Sequence, residues 1–259
     1  MPKSTKPIIF LHIPKTGGNT FNNAIQNIET QNDISYLRAG KTGFLPKFSF
    51  NYFKSQDARN FFSGHFVFSD DCKIADLYTL VRDVHKTFFS NLYFQYFRTH
   101  LQKNLNLNNI NKINEKFDFK LNMSDKDIPV ILKLIENNLI NSNTFTKTIA
   151  GIGYEKFFYV QNDYKITQSD YEMAVNNLKY FIMIGNIGSF KDFLNKFISF
   201  YGFKLDSYIH QNVSNYDRNF IDLMVNKLYQ KIADYNFYDI LLMREIEKIK
   251  NYESGETSD

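Results

Sequence analysis

The stretch His12-Ile13-Pro14-Lys15-Thr16-Gly17-Gly18-Asn19-Thr20 places a lysine, two threonines and a glycine pair within one short run. Together these types suit the grip of an anion. Lysine brings a mobile positive charge, threonine hydroxyls donate hydrogen bonds, and glycine lets backbone N–H groups approach an oxyanion with no Cβ in the way. Ahead of the run lies Ile8-Ile9-Phe10-Leu11-His12-Ile13, a β-branched apolar segment with the pattern of a strand covered on both faces. Behind it, Phe21, Ala24, Ile25 and Ile28 recur at helical spacing. A turn from a buried strand into a helix is where N–H groups and the helix dipole converge on negative charge. Lys15, Thr16, Gly17, Gly18, Asn19 and Thr20 are therefore the candidate phosphate-holding residues, with an ordinary strand-to-helix turn as the plainer reading. The order is not that of a Walker A loop, because here the lysine precedes the glycines.

A second pair, Arg82 and Ser90, brackets the end of another strand pattern and the helix after it. An arginine at a strand's carboxyl end and a serine on the next helix can both face the crevice where α/β folds bind ligands. Taken alone, the plainer reading prevails: Arg82-Asp83 is a common pair, and Ser90 fits a residue on the helix surface. Histidine is the side chain best suited to move a proton near neutral pH. Of the five in the chain, His65 stands out, set in Phe62-Ser63-Gly64-His65-Phe66-Val67-Phe68 between the two anion-holding stretches. An aromatic-flanked core histidine is its bland alternative. His12 is expected inside the first strand and packed beneath the site, and His85 and His100 on the surface. His210 has no assigned place.

The elements that must hold these residues read as repeated strand-and-helix units. Leu77-Tyr78-Thr79-Leu80-Val81 is a second buried strand, followed by a helical face of Phe88, Phe89, Leu92, Tyr93, Tyr96 and Phe97. Further strands are expected at Phe157-Phe158-Tyr159-Val160 and Phe181-Ile182-Met183-Ile184, with a helix carrying Tyr171, Ala174, Val175 and Leu178 between them. Strands alternating with helices indicate an α/β fold with a mainly parallel sheet flanked by helices. The polar, Asn/Lys-rich stretch near 101–126 reads as an inserted loop or lid, and Ile131, Leu132, Ile135 and Leu139 restore a helical stripe after it. Two more helices fit the carboxyl third, and a flexible tail is expected near 253–259. Residues 1–259 form one domain in this reading. Lys41-Thr42-Gly43 has no apolar strand before it and reads as a surface turn.

Composition narrows the function classes. An excess of 31 basic over 27 acidic residues gives a net charge of +4, compatible with an anionic ligand but too small to imply nucleic acid. With 27 Phe, 17 Tyr and no Trp, the core must be rich in aromatic rings. The single cysteine, Cys72, excludes an internal disulfide and is expected to be a buried, inert thiol. The apolar run 8–13 is too short for a secretory or membrane-spanning segment, so a cytoplasmic location without a transmembrane segment is the default. No His/Cys/Asp/Glu cluster has metal-ligand spacing, and no metal is expected.

The string Ile13-Pro14-Lys15-Thr16-Gly17-Gly18 resembles the 5′-phosphosulfate loop of sulfotransferases, in the branch containing the Golgi-type heparan sulfate and chondroitin carbohydrate enzymes. Arg82…Ser90 is similar to that family's 3′-phosphate element. The segments Asn143-Thr144-Phe145-Thr146-Lys147-Thr148-Ile149-Ala150-Gly151, Asn177-Leu178 with Phe181-Ile182-Met183-Ile184-Gly185, and Asn236-Phe237-Tyr238-Asp239 resemble its later motifs. The resemblance implies a P-loop-like three-layer fold. It further implies transfer of a sulfuryl group from 3′-phosphoadenosine 5′-phosphosulfate (PAPS) to a hydroxylated acceptor, in that branch a glycan or glycoconjugate, with adenosine 3′,5′-bisphosphate (PAP) as the product. Lys15 would meet the bridging oxygen of the donor, and His65 would be the base. Asn19 stands where the family carries Thr or Ser, Val84 where it carries proline, Thr87 and Lys147 where arginine is common, and Gly188 where glutamate is frequent. Two other classes share the strand-turn-helix grip: a nucleotide-dependent small-molecule kinase, and a nucleotide-binding module of the same fold without catalysis.

Overall fold

Ile8–Leu11 forms strand β1 with every side chain buried, and Asp76–Val81 forms β4 in the same condition. Strands covered on both faces are typical of parallel sheets sandwiched between helices. The computed structural model describes residues 6–32, 35–38, 60–92, 128–137, 140–152, 164–205 and 218–254. Its other strands are β2 (Ser35–Arg38), β3 (Asn60–Gly64) and β5 (Phe181–Asn186). They form one five-stranded sheet in the order β2-β3-β1-β4-β5, and each adjacent pair is parallel. After β1 the chain builds β2 and β3 to one side, then crosses to lay β4 on the other. The order therefore reverses between β1 and β4, and a crevice opens at such a point beyond the strands' carboxyl ends.

Helices cover both faces because side chains alternate along each strand. From β1 and β4, Ile8, Phe10, Tyr78 and Leu80 face a core completed by α1 (Gly18–Asn32) through Phe21 and Ile25, and by α6 (Phe190–Tyr201) through Phe193 and Phe197. Ile9, Leu11, Leu77 and Val81 face the opposite core. There they meet Phe145 and Ile149 of α4 (Thr144–Ala150), Ala174 of α5 (Gln168–Asn177) and Leu242 of α8 (Phe237–Ser254). A separate cluster joins α2 (Val84–Leu92), α3 (Ile128–Glu136) and α7 (Arg218–Tyr235) through Phe88, Ile131 and Leu228. Phe21, Phe61, Tyr78 and Phe197 give the first core the aromatic character that composition required.

Several expectations change. β1 ends at Leu11, so His12 follows the strand instead of lying within it. Ile13 N–H turns back onto the Leu11 carbonyl, and the chain leaves the ladder there. β2 and β3 add strands that periodicity did not announce, since β3 offers only Phe61 and Phe62 between Asn60 and Ser63. Among the described residues the carboxyl third holds three helices, α6, α7 and α8, because Asn236 breaks what would otherwise be one long apolar-striped segment into α7 and α8. Glu253 and Ser254 close α8 and are not part of a tail. The expected strand at 157–160, the insertion near 101–126, His100, His210 and the 41–43 turn lie outside the described residues.

Candidate functional site

At the carboxyl end of β1 the chain makes a tight turn through Pro14 to Gly17 before α1 begins at Gly18. Lys15 (φ 68°) and Gly17 (φ 87°) both adopt left-handed backbone conformations. For lysine that conformation is uncommon and must be held by its surroundings. Arg82, just beyond β4, contributes to holding it, donating from Nη1 to the Lys15 carbonyl at 3.4 Å. The glycines are also demanded by packing. A Cβ on Gly17 would lie 2.1 Å from Ile187 Cδ1, and one on Gly18 would lie 2.0 Å from Cδ2 of the His12 ring. Both glycines thus let the loop press against its own protein, and at the start of α1 the N–H groups of Gly18 and Asn19 lie ahead of any intrahelical acceptor, whereas Thr20 N–H donates to the Gly17 carbonyl at 3.0 Å.

Exposure alternates along the turn. Lys15, Gly17 and Asn19 are partly exposed, whereas Thr16, Gly18 and Thr20 are buried. Thr16 points inward, its hydroxyl donating to the Ile13 carbonyl at 2.7 Å, so that proton braces the loop and is not available to an anion. The Thr16 hydroxyl therefore does not take the donor role expected of it.

On the other side of β1, His65 follows β3. Its Nδ1 lies 2.9 Å from the His12 carbonyl oxygen. A carbonyl only accepts, so Nδ1 carries the proton and, in the neutral ring, Nε2 carries the lone pair. The His65 ring also stacks on His12, with centroids 4.1 Å apart and 29° between planes. His12 is itself only 4% exposed, and its ring is wedged against Gly18. It was missed as a neighbour of His65 because nothing in a linear pattern pairs residues 12 and 65. The carboxyl ends of three adjacent strands, β3, β1 and β4, therefore bring His65, the Lys15 turn and Arg82 to one edge.

Ser90 lies farther along α2 and is 2% exposed. Asp83 caps that helix, its Oδ1 accepting from Lys86 N–H at 2.8 Å. His85, Phe88, Phe89 and Leu92 share the helix face turned to α7, and Thr87 and Ser90, three apart, share another. His85 is buried, not superficial as expected: Tyr229 of α7 stacks on it at 4.0 Å and accepts at its carbonyl from Nε2 at 3.2 Å. Among the described residues two buried side-chain polar atoms have no hydrogen-bond partner, Thr87 Oγ1 and Asn22 Nδ2. Both belong to the first two turns of the helices that leave this edge. Asn22 Oδ1 is engaged, accepting from Ser63 Oγ at 2.6 Å and tying α1 to the end of β3.

The later sequence segments meet elsewhere and form a latch. Asp239, on α8, accepts from Phe145 N–H (3.1 Å), Thr146 N–H (2.8 Å) and the Thr146 hydroxyl (2.8 Å), capping α4. Asn143 and Asn236 reinforce it: Asn143 N–H donates to Asn236 Oδ1, and Asp239 N–H donates to Asn143 Oδ1. Asn177 closes the other end of α4 by donating to the Ile149 carbonyl at 2.9 Å. Burial raises the Asp239 carboxyl to about 6 despite its donors. Burial also lowers Lys147 to about 8, against the attraction of Asp239. Cys72 is buried as expected, and desolvation pushes its thiol up to about 11.

Among the described residues no group of three or more His, Cys, Asp or Glu side chains is placed to hold a metal ion, and no helix is long and apolar enough to cross a membrane. No protein-family model matches the chain, and no curated protein is significantly similar to it.

Proposed function

We propose that this chain is a PAPS-dependent sulfotransferase of P-loop-like three-layer architecture, acting on a hydroxylated acceptor of the carbohydrate class. The observation that carries the reading is the convergence of the Lys15 turn, Arg82 and His65 at one edge of a parallel sheet, beside the strand-order reversal. Arg82 and His65 are each fastened to the backbone of residues 12–15, at Lys15 and His12. The orphaned Thr87 hydroxyl on the Ser90 face gives α2 a buried donor that an anion can satisfy.

In this reading the loop amides of Gly17, Gly18 and Asn19 hold the 5′-phosphate, and Arg82 with Ser90 hold the 3′-phosphate that distinguishes PAPS from ATP. The acceptor oxygen attacks sulfur as the bond from sulfur to the bridging oxygen breaks. The acceptor proton passes to Nε2 of His65, and the electron pair of the broken bond remains on the 5′-phosphate of PAP. The Lys15 ammonium offsets that developing charge, an interaction strongest in the transition state. His12 fixes the tautomer that makes Nε2 the accepting atom. A cytoplasmic location and an acceptor other than nucleic acid belong to the same reading.

Calorimetry with PAP and ADP tests the donor site. PAP is expected to bind the wild-type chain more tightly than ADP. Arg82→Ala should lower PAP affinity by roughly 1.5–3 kcal/mol, as for a charge-assisted contact, and ADP affinity by clearly less, through the Lys15 turn that Arg82 also holds. Preference for ADP would favour the kinase reading, and equal losses for both nucleotides would remove Arg82 from 3′-phosphate recognition.

A further inference from the structure

Lys147 is 1% exposed and is the one lysine buried among the described residues. Beside it lies a cavity of about 180 Å³ between α4, residues 164–166 and the α7–α8 corner. Its charged lining groups are Lys147, Lys165 and Asp234. Asp234 is exposed, and its Oδ1 accepts from Gln230. The Tyr164 hydroxyl is committed to Asp170 and the Tyr235 hydroxyl to the Ile140 carbonyl, so what these tyrosines offer the cavity is ring surface.

Water alone would solvate the lysines but gain nothing from the rings. A compact anion with an apolar body matches both, and a cavity of roughly 150 Å³ is known to take one benzene ring. We propose that this cavity binds a one-ring carboxylate, with the ring against Tyr164, Tyr235 and Tyr238 and the carboxylate at Lys147 and Lys165. The proposal is independent of the donor-site reading. Because burial lowers Lys147 to about 8, an arriving carboxylate restores its proton. Asp239, Asp234, Lys165 and the three tyrosines are the other titratable groups around it.

Calorimetry on the full chain with benzoate, cyclohexanecarboxylate, acetate and benzyl alcohol tests this. Benzoate or cyclohexanecarboxylate should bind at least about tenfold more tightly than acetate or benzyl alcohol, and whichever ring acid binds better shows whether the site prefers an aromatic or a saturated ring. Lys147→Met, a neutral side chain of similar length, should lose at least about tenfold, and Lys165→Met at the exposed side roughly threefold. At about pH 8.5 the wild-type chain should take up a proton on binding, read from two buffers of different ionisation enthalpy. Ring acids no tighter than acetate, or undiminished binding by Lys147→Met, would overturn the proposal. Should Lys147→Met fail to fold, absence of proton uptake by the wild-type chain would overturn it instead.

Discussion

The edge around Lys15 and the latch around Asp239 use polar side chains in opposite ways. At the edge, Arg82 and His65 hold backbone carbonyls with one end, Lys15 sits in a left-handed conformation, and Thr87 and Asn22 keep unpartnered polar atoms nearby. At the latch, Asp239, Asn143 and Asn236 meet one another and the start of α4 through reciprocal hydrogen bonds. A closed polar network fixes one packing, whereas strain and incompletely satisfied groups persist where a ligand completes them. In the proposed reading, both regions coincide with segments similar to sulfotransferase motifs. Their geometry separates motifs suited to hold a ligand from motifs that hold the fold.

The sharpest way to break this contrast is to remove one residue from each region and compare losses. His65→Ala should retain PAP affinity within a few-fold and lower turnover by about 10²–10⁴, the usual cost of losing a positioned base. Its unfolding temperature should change little, because the ring is only partly buried. Kinetics and thermal unfolding on one preparation check both. A large fall in unfolding temperature, with activity following the folded fraction, would move His65 into the structural class.

Asp239→Ala should do the reverse. It strands three donors at the start of α4, each worth about 1–3 kcal/mol when buried without a partner, and denaturant unfolding should show a loss on the order of 3–5 kcal/mol. Turnover per folded molecule should stay close to wild type. Unchanged stability would mean that the latch is not what closes α4 against α8.

A smaller effect comes from the raised Asp239 carboxyl. Its folded pKa, about 6, exceeds the ordinary 3.8, so the folded chain binds the proton more tightly than the unfolded one. Its contribution to stability is complete below about 3.8 and is lost as pH rises through about 6. Lys147 acts at the other end of the scale: lowered from 10.5 to about 8, it makes stability rise with pH between those values. Lys147→Met should flatten the alkaline rise in unfolding temperature, and a rise that survives the substitution would assign it to another group.

Much of the edge was legible because its signals are local. The apolar run, Pro14, the lysine and the glycine pair occupy consecutive positions, and strand-turn-helix follows from them directly. What stayed hidden depends on distant partners. The burial of His85 is set by Tyr229, 144 residues away. β3 was unreadable as a strand because Ser63, polar in the sequence, is buried, its hydroxyl satisfied by Asn22. The glycine pair was identified, yet half its reason was absent from the linear pattern, since Ile187 and His12 fill the space their missing side chains leave. For the latch, the two segments were visible separately, but nothing in either one says that Asp239 caps α4.

The most direct measurement is transfer of labelled sulfuryl from PAPS to a panel of glycans, lipids and small phenols, comparing wild type with Lys15→Ala. The donor-site reading predicts a sulfated product and PAP from the wild-type chain. It predicts turnover nearly abolished in Lys15→Ala while PAP affinity falls far less, because the lysine acts mainly on charge developing at the leaving phosphate. No transfer by a wild-type chain that is folded, or undiminished transfer by Lys15→Ala, would contradict it.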